Sequence, residues 1–382
     1  AWTPIQHDKR VWIFQTGGIL VEEGKEPVSL IRKGLHTGRR DVFPTPALCN
    51  EMALSAGRWL AKTCSHTPLQ SMSTLMVLNI ACALCVSYTL TRDPGLLASA
   101  HMVRNILLDH FLQTRMLADG QTAYFFGRTE DNHFELGVVA LGPLVLQAMK
   151  GMDETDEGSS DTLLTGLYAA LSAFQQDDAV FAHSLDAKDL ARSKAFSSAD
   201  YDGLAILALY KSNQEHLKEK ALRALDAAIA LQRWQYHSVW LSRAVNTINR
   251  EAATEERLVF SLNSFLGQIP AAFLYSGSST SLLRLMITAE NALDILETHP
   301  DLASRVTYVE RSRIRAALLG RIGMLLDNFY WPEMAMYEAH PGMVLGTFCN
   351  RDERTDEGLA ISEEHTCGML VTLFELATYL KE

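Results

Sequence analysis

The stretch Ser198-Ala-Asp-Tyr-Asp-Gly-Leu-Ala-Ile-Leu-Ala-Leu-Tyr210, followed closely by Gln214–Leu231, decides how the rest of the chain is read. From Gly203 to Tyr210 the first segment is apolar on every side, with acids only at its start. The second sets Lys218, Glu219, Lys220 and Arg223 on one face against Leu217, Ala221, Ala224 and Leu225 on the other. A helix that is apolar all round is interior, and an amphipathic one is peripheral. The pair therefore reads as an inner helix and an outer helix joined by a tight connection.

Working outward, the same alternation repeats along the chain. Helix-length segments are expected at 45–63, 72–91, 94–118, 133–150, 160–175, 200–211, 214–231, 236–250, 253–275, 279–298, 307–327 and 362–381. Met72–Leu90, Leu136–Met149 and Met369–Leu380 share the inner character, and Thr307–Asp327 the outer one. Thr45-Pro46 and Asp93-Pro94 each put a cap residue before a proline at the first helical position. Ser212-x-x-Glu215 and Thr307-x-x-Glu310 match the capping box, and Gly151 marks a helix end. Six inner and six outer helices, repeating at roughly 50 residues, describe an all-α, α/α toroid built as a single domain over 45–382. Residues 1–44 form a separate N-terminal arm or small β-hairpin, with Val11-Trp-Ile-Phe14 and Ile19-Leu-Val21 flanking Gly17-Gly18.

The gaps between segments alternate in length. Cys64–Ser71, Asp119–Asn132, Gln176–Ala199 and Asn328–Ile361 are long and lead into inner helices, whereas others span only a few residues. Long irregular connections are usually functional. They are expected on one end of the ring, where the inner helices begin.

The net charge of −11 offers no basic surplus for phosphates, so nucleic acid and anionic membranes are excluded as partners. The six cysteines are too sparse for a disulfide scaffold, and Cys82-x-x-Cys85 lies inside the apolar run Leu75–Leu90 without a second pair at zinc spacing. They read as core thiols, and no metal or cofactor is expected. Leu75–Leu90 is short for a membrane span and contains Asn79, Ser87 and Thr89. The chain opens Ala1-Trp2-Thr3-Pro4 without a signal-peptide pattern, so a reducing, cytoplasmic setting is expected. A homo-oligomer is compatible with the composition.

Chemistry is expected at the inner-helix starts. Asp131, His133 and Glu135 precede one, beside the aromatic segment Tyr124-Phe-Phe126. Asp200, Tyr201 and Asp202 open the next, His237 and Trp240 the eighth, and Glu364 with His365 the last. A histidine at a helix N-terminus tends to stay neutral and suits a base. Taken singly, each acid also serves as an ordinary cap. Asp131 and Asp202 offer two carboxylates across a cavity, as glycoside hydrolysis requires. Tyr124, Trp240, Tyr330 and Trp331 could stack on sugar faces.

The segments at 198–210, Gln235-Tyr-His-Ser-Val-Trp-Leu-Ser-Arg-Ala244 and Glu363-Glu-His-Thr-Cys-Gly-Met-Leu-Val-Thr-Leu-Phe374 resemble inner-helix starts of the six-hairpin, (α/α)6-toroid superfamily of carbohydrate-active proteins. In layout the chain is nearest to the N-acylglucosamine 2-epimerase and sugar-isomerase group. That resemblance implies a small sugar or oligosaccharide substrate and catalytic histidines at His237 and His365. Asp131, Glu135 or Asp202 would orient hydroxyls, with His133, Asp200, Tyr201, Tyr124, Trp240 and Glu364 around the substrate. Two alternatives stay open: a glycoside hydrolase or polysaccharide lyase using paired carboxylates, and a non-catalytic helical scaffold binding a protein or peptide on the loop face.

Overall fold

The computed structural model describes residues 3–7, 12–15, 18–20, 28–30, 45–152, 159–194, 197–198, 200–231, 238–266, 280–303, 322, 328–331, 335, 340–355 and 358–380. Apart from Ile322, the expected outer helix at 307–327, with its capping box, lies outside the described residues, as does His237.

Eleven principal helices are described: α1 Pro46–His66, α2 Thr74–Thr91, α3 Pro94–His110, α4 Leu136–Lys150, α5 Ser159–Ala173, α6 Tyr201–Tyr210, α7 Glu215–Ala230, α8 Val239–Ala252, α9 Glu255–Leu266, α10 Thr280–Glu297 and α11 Glu363–Tyr379. Their starts obey the local chemistry. Thr45 accepts from the Leu48 N–H, Ser73 from that of Met76, and Asp93 from those of Gly95 and Leu96. One cap differs. Gln214, not Ser212, occupies the N-cap position of α7 without a side-chain capping bond, and the Ser212 hydroxyl is turned onto the Gln214 backbone instead.

The inner helices close a ring in which α2 packs on α4, α4 on α6, α6 on α8, α8 on α10, α10 on α11, and α11 back on α2. Around it, α1 and α3 lie on α2, α5 on α4, α7 on α6, and α9 on α8 and α10. Helix α2 is the one described helix long and apolar enough to cross a membrane, yet it is enclosed by α1, α3, α4 and α11. Helices α6 and α8 approach closely, and a Cβ on Gly203 would fall 2.1 Å from the Leu241 nitrogen.

Several strands replace expected helix or loop. Leu112–Met116 (β5) pairs antiparallel with Thr122–Phe126 (β6), so the third helix ends at His110 rather than near residue 118. The turn uses Gly120 at φ +83°, a conformation that favours glycine. His133–Glu135 (β7) pairs with Ser184–Asp186 (β8), which pairs with Arg192–Ser193 (β9). This small sheet joins the two long connections 119–132 and 176–199 at one end, as expected. Phe125 stacks on Phe134 at 4.4 Å between ring centroids and sits near Phe174 at 6.3 Å, anchoring the strands to the core.

At the N-terminus the expected strands form, but with other partners. Trp12–Gln15 (β2) pairs with Thr3–His7 (β1), and Gly18–Leu20 (β3) pairs with Val28–Leu30 (β4). Gly18 therefore opens the second of two hairpins instead of turning one.

Candidate functional site

The starts of α2, α4, α6 and α11 lie at one end. Arg128, just after β6, donates to the carbonyls of Gln70 and Met72 before α2. Glu363, at the start of α11, is close enough to Cys64 in the last turn of α1 for its charge to raise that thiol's pKa, after burial itself. The connection from Thr67 to Ser73 then leads from this end of α1 into α2.

Strand β7 delivers the first pair of groups. Side chains alternate across a strand, so buried Phe134 faces the core while His133 and Glu135 share the other face. His133 Nε2 lies 3.7 Å from Glu135 Oε1. The opposite carboxylate oxygen accepts a 2.6 Å hydrogen bond from the Tyr201 hydroxyl at the start of α6. Burial first, then the Glu135 and Asp200 charges, push the Tyr201 phenol far up, so it is a fixed donor and never a base. Gly137 makes this contact possible, since a Cβ there would sit 2.1 Å from the tyrosine ring.

A second pair was not foreseen. His183, in the connection before β8, places Nε2 3.1 Å from Asp202 Oδ1 in the first turn of α6. Its Nδ1 accepts from the Ser198 N–H at 3.1 Å, with the Ser197 hydroxyl at 3.2 Å. The accepted N–H fixes the tautomer with the proton on Nε2, directed at Asp202. Both side chains are nearly sealed, with 12% and 6% of their surface exposed. Its signal in the sequence is a histidine in a long loop on the expected face, away from any helix start.

Asp200 caps nothing on its own helix. It accepts instead from the Ser238 hydroxyl at 2.8 Å, and Ser238 in turn caps α8 through the Leu241 N–H. His365 occupies the first turn of α11, where its N–H is capped by Ser362 at 3.1 Å, and its ring is half-buried. Glu364 beside it is exposed.

The remaining candidates sit elsewhere. Asp131 accepts from the Arg128 N–H at 2.7 Å, holding the turn that aims Arg128 at the α2 entry. Tyr124 packs against outer helix α5, where a Cβ on Gly166 would meet its ring at 2.0 Å. It alternates with Phe125 on β6 and so faces the outer layer. Tyr330 and Trp331 are buried, Trp331 edge-on to Phe329 at 4.5 Å, and belong to the core rather than to a sugar platform. Trp240 lies inside the ring, with the Arg243 and Arg284 guanidiniums 5.3 and 4.8 Å from its ring.

All six cysteines are free thiols, and burial pushes Cys49 and Cys64 up to about 12. Among the described residues no cluster of histidine, cysteine and carboxylate groups is arranged to hold a metal.

No family model matches the chain, and no curated protein matches it in sequence. Solved structures do match in shape. The cellobiose 2-epimerase from Spirochaeta thermophila DSM 6192 aligns with a TM-score of 0.57 at 11% identity, over 81% of this chain and 87% of that one. The cellobiose 2-epimerase from Bacillus thermoamylovorans B4167 gives 0.56 at 9% identity, over 80% and 88%. A D-mannose isomerase gives 0.54 at 8%, over the same shares. The chain thus has the (α/α)6-toroid fold shared by the N-acylglucosamine 2-epimerase-like sugar epimerases and isomerases.

Proposed function

We propose that the protein is a sugar epimerase or isomerase that moves a proton on the carbon next to a carbonyl. The observation that carries this reading is the set of histidine, carboxylate and phenol groups from β7, α6 and α11 at one end of a closed ring. It occurs in a fold whose solved neighbours include cellobiose 2-epimerases and a D-mannose isomerase.

In this reading His237 and His365 are the acid and base. One removes the proton beside the carbonyl of the open-chain sugar, giving an enediolate. Return of a proton to the opposite face of the same carbon inverts it, and return to the neighbouring carbon exchanges aldose for ketose. His183 is not the base, because Nδ1 already accepts from Ser198 and the Nε2 proton points at Asp202. That pair positions the start of α6. Glu135, oriented by Tyr201, binds sugar hydroxyls together with Asp200 and His133. The paired-carboxylate alternative is poorly served, since Asp202 is buried against His183 and Asp131 is engaged by Arg128.

The test is incubation with aldohexoses, ketohexoses and cellobiose in D2O, read by NMR. Solvent deuterium at C2 of an epimerised or isomerised product is expected. His365→Asn and His237→Asn should each lower turnover by about 100-fold or more, the scale of a positioned acid or base, with little change in Tm. Glycosidic cleavage without deuterium uptake would replace this reading with hydrolysis, and full activity in either variant would remove the histidine mechanism.

A further inference from the structure

Below the mouth, the ring interior carries charge that the proposed reaction does not use. Helix α2 is sealed at Ala81, Ala83 and Leu84, yet Leu75, Asn79, Cys82 and Val86 keep partial accessibility. Their spacing of four, three and four residues marks one helical stripe facing an open space. Helix α8 has the matching stripe Trp240, Arg243, Thr247 and Arg250, and α11 contributes Glu375. These stripes face each other, since the charges of Arg243, Arg284, Glu375 and Lys211 all act on the Cys82 thiol.

Among the described residues whose charges reach Cys82, Arg243, Arg284 and Lys211 are positive and Glu375 is negative. Arg284 grips Glu375 with two hydrogen bonds of 2.9 and 3.1 Å, and Arg243 reaches the same carboxylate at 3.3 Å. Both guanidiniums flank Trp240. Lys211 follows the last residue of α6, about 15 Å along the axis from Tyr201. The charges acting on its ammonium are those of Arg243 and Arg250, and no carboxylate among the described residues pairs with it. Crowding by protein and the Arg243 charge hold its pKa below the ordinary lysine value, although its side chain stays accessible. It therefore lines an opening. In a chain of net charge −11, cations gathered inside the ring need a counterion.

We propose that Lys211, Arg243 and Arg284 form an oxyanion site beneath Trp240, taking a phosphate, sulfonate or carboxylate group that is either free or carried on a sugar. Guanidinium and ammonium donors give charge-assisted hydrogen bonds to such groups. Glu375 holds the two arginines in place and leaves the surplus charge to the ligand.

The test is calorimetric titration of the full chain at constant ionic strength with inorganic phosphate, with glucose 6-phosphate and with glucose. Phosphate or glucose 6-phosphate should bind, and Lys211→Met should weaken that binding by about tenfold or more, the scale of one charge-assisted bond. Lys211→Arg should retain it, as should Lys220→Met on the outer helix α7. Far-UV circular dichroism and Tm confirm that each variant is folded. Stronger binding of glucose 6-phosphate than of phosphate identifies the anion as part of a sugar, and equal binding identifies a free ion. Absence of binding by either anion at millimolar concentration overturns the proposal, as does unchanged binding in Lys211→Met. Because binding is read without turnover, a failure here leaves the deuterium experiment untouched, and the reverse also holds.

Discussion

Gly203→Ala tests the packing that holds the α6 and α8 starts together. The added Cβ would lie 2.1 Å from the Leu241 nitrogen, 2.4 Å from the Trp240 carbonyl carbon and 2.6 Å from the Leu241 Cα. Ordinary contact begins near 3.4 Å, so the helices must separate by about 1 Å, and the obstructing atoms are backbone that cannot rotate aside. Overpacking typically costs about 1–3 kcal/mol, and rigid neighbours place this site at or beyond the upper end. Alanine's better helix propensity returns about 1 kcal/mol. The net loss is therefore about 2 kcal/mol or more, and the Asp200–Ser238 bond that spans the same joint should be disturbed. Urea unfolding followed by far-UV circular dichroism measures it. Gly151→Ala is the control, because its Cβ would have neighbours no closer than 3.6 Å and its φ is −70°. If Gly203→Ala unfolds within about 0.5 kcal/mol of the parent, the ordinary range for an uninvolved substitution, the close approach of α6 and α8 is refuted.

Tyr201→Phe should cost about 1–2 kcal/mol through the lost bond to Glu135, and Gly137→Ala should displace the same ring; unchanged stability in both would argue against that contact. For Glu375, burial alone would raise the pKa, but Arg284 and Arg243 together hold it below the ordinary value. The stability from this group is therefore full above the unfolded-state pKa and lost as pH falls through the folded one. Glu375→Gln should cost about 3–5 kcal/mol at neutral pH by leaving buried Arg284 unpaired, and the gap from the parent should narrow in acid; a pH-independent gap would contradict the assignment. Cys49 and Cys64, both pushed up to about 12 by burial, should resist iodoacetamide at pH 8 in the folded protein, and mass spectrometry showing rapid labelling of either would refute their burial.

The helices were legible because capping and periodicity are local. Thr45 and Asp93 cap the helices their sequence context announces. The hairpin Leu112–Phe126 was hidden because Leu-Gln-Thr-Arg-Met continues a helical pattern, and only Asp119-Gly120 marked the turn. Of the expected site groups, Glu135, Tyr201, Asp200, Asp202 and His365 lie at inner-helix starts, where dipole and geometry place polar residues. Tyr124 and Trp331 misled because stacking on a ligand and packing in a core draw on the same side chains. His183 escaped because its partner Asp202 is supplied by tertiary structure and not by spacing.

The closure of the inner ring constrains how the chain can be made. Helix α2, the most lipid-like segment, depends for one flank on α11, whose start lies about 290 residues further on. During synthesis that flank stays uncovered until the last described helix emerges, so the nascent chain carries a long-lived sticky seam. Such a topology favours slow final docking over early commitment. It also makes α11 a keystone, whose removal would unseat two neighbours on either side of the ring while leaving the earlier hairpins locally formed.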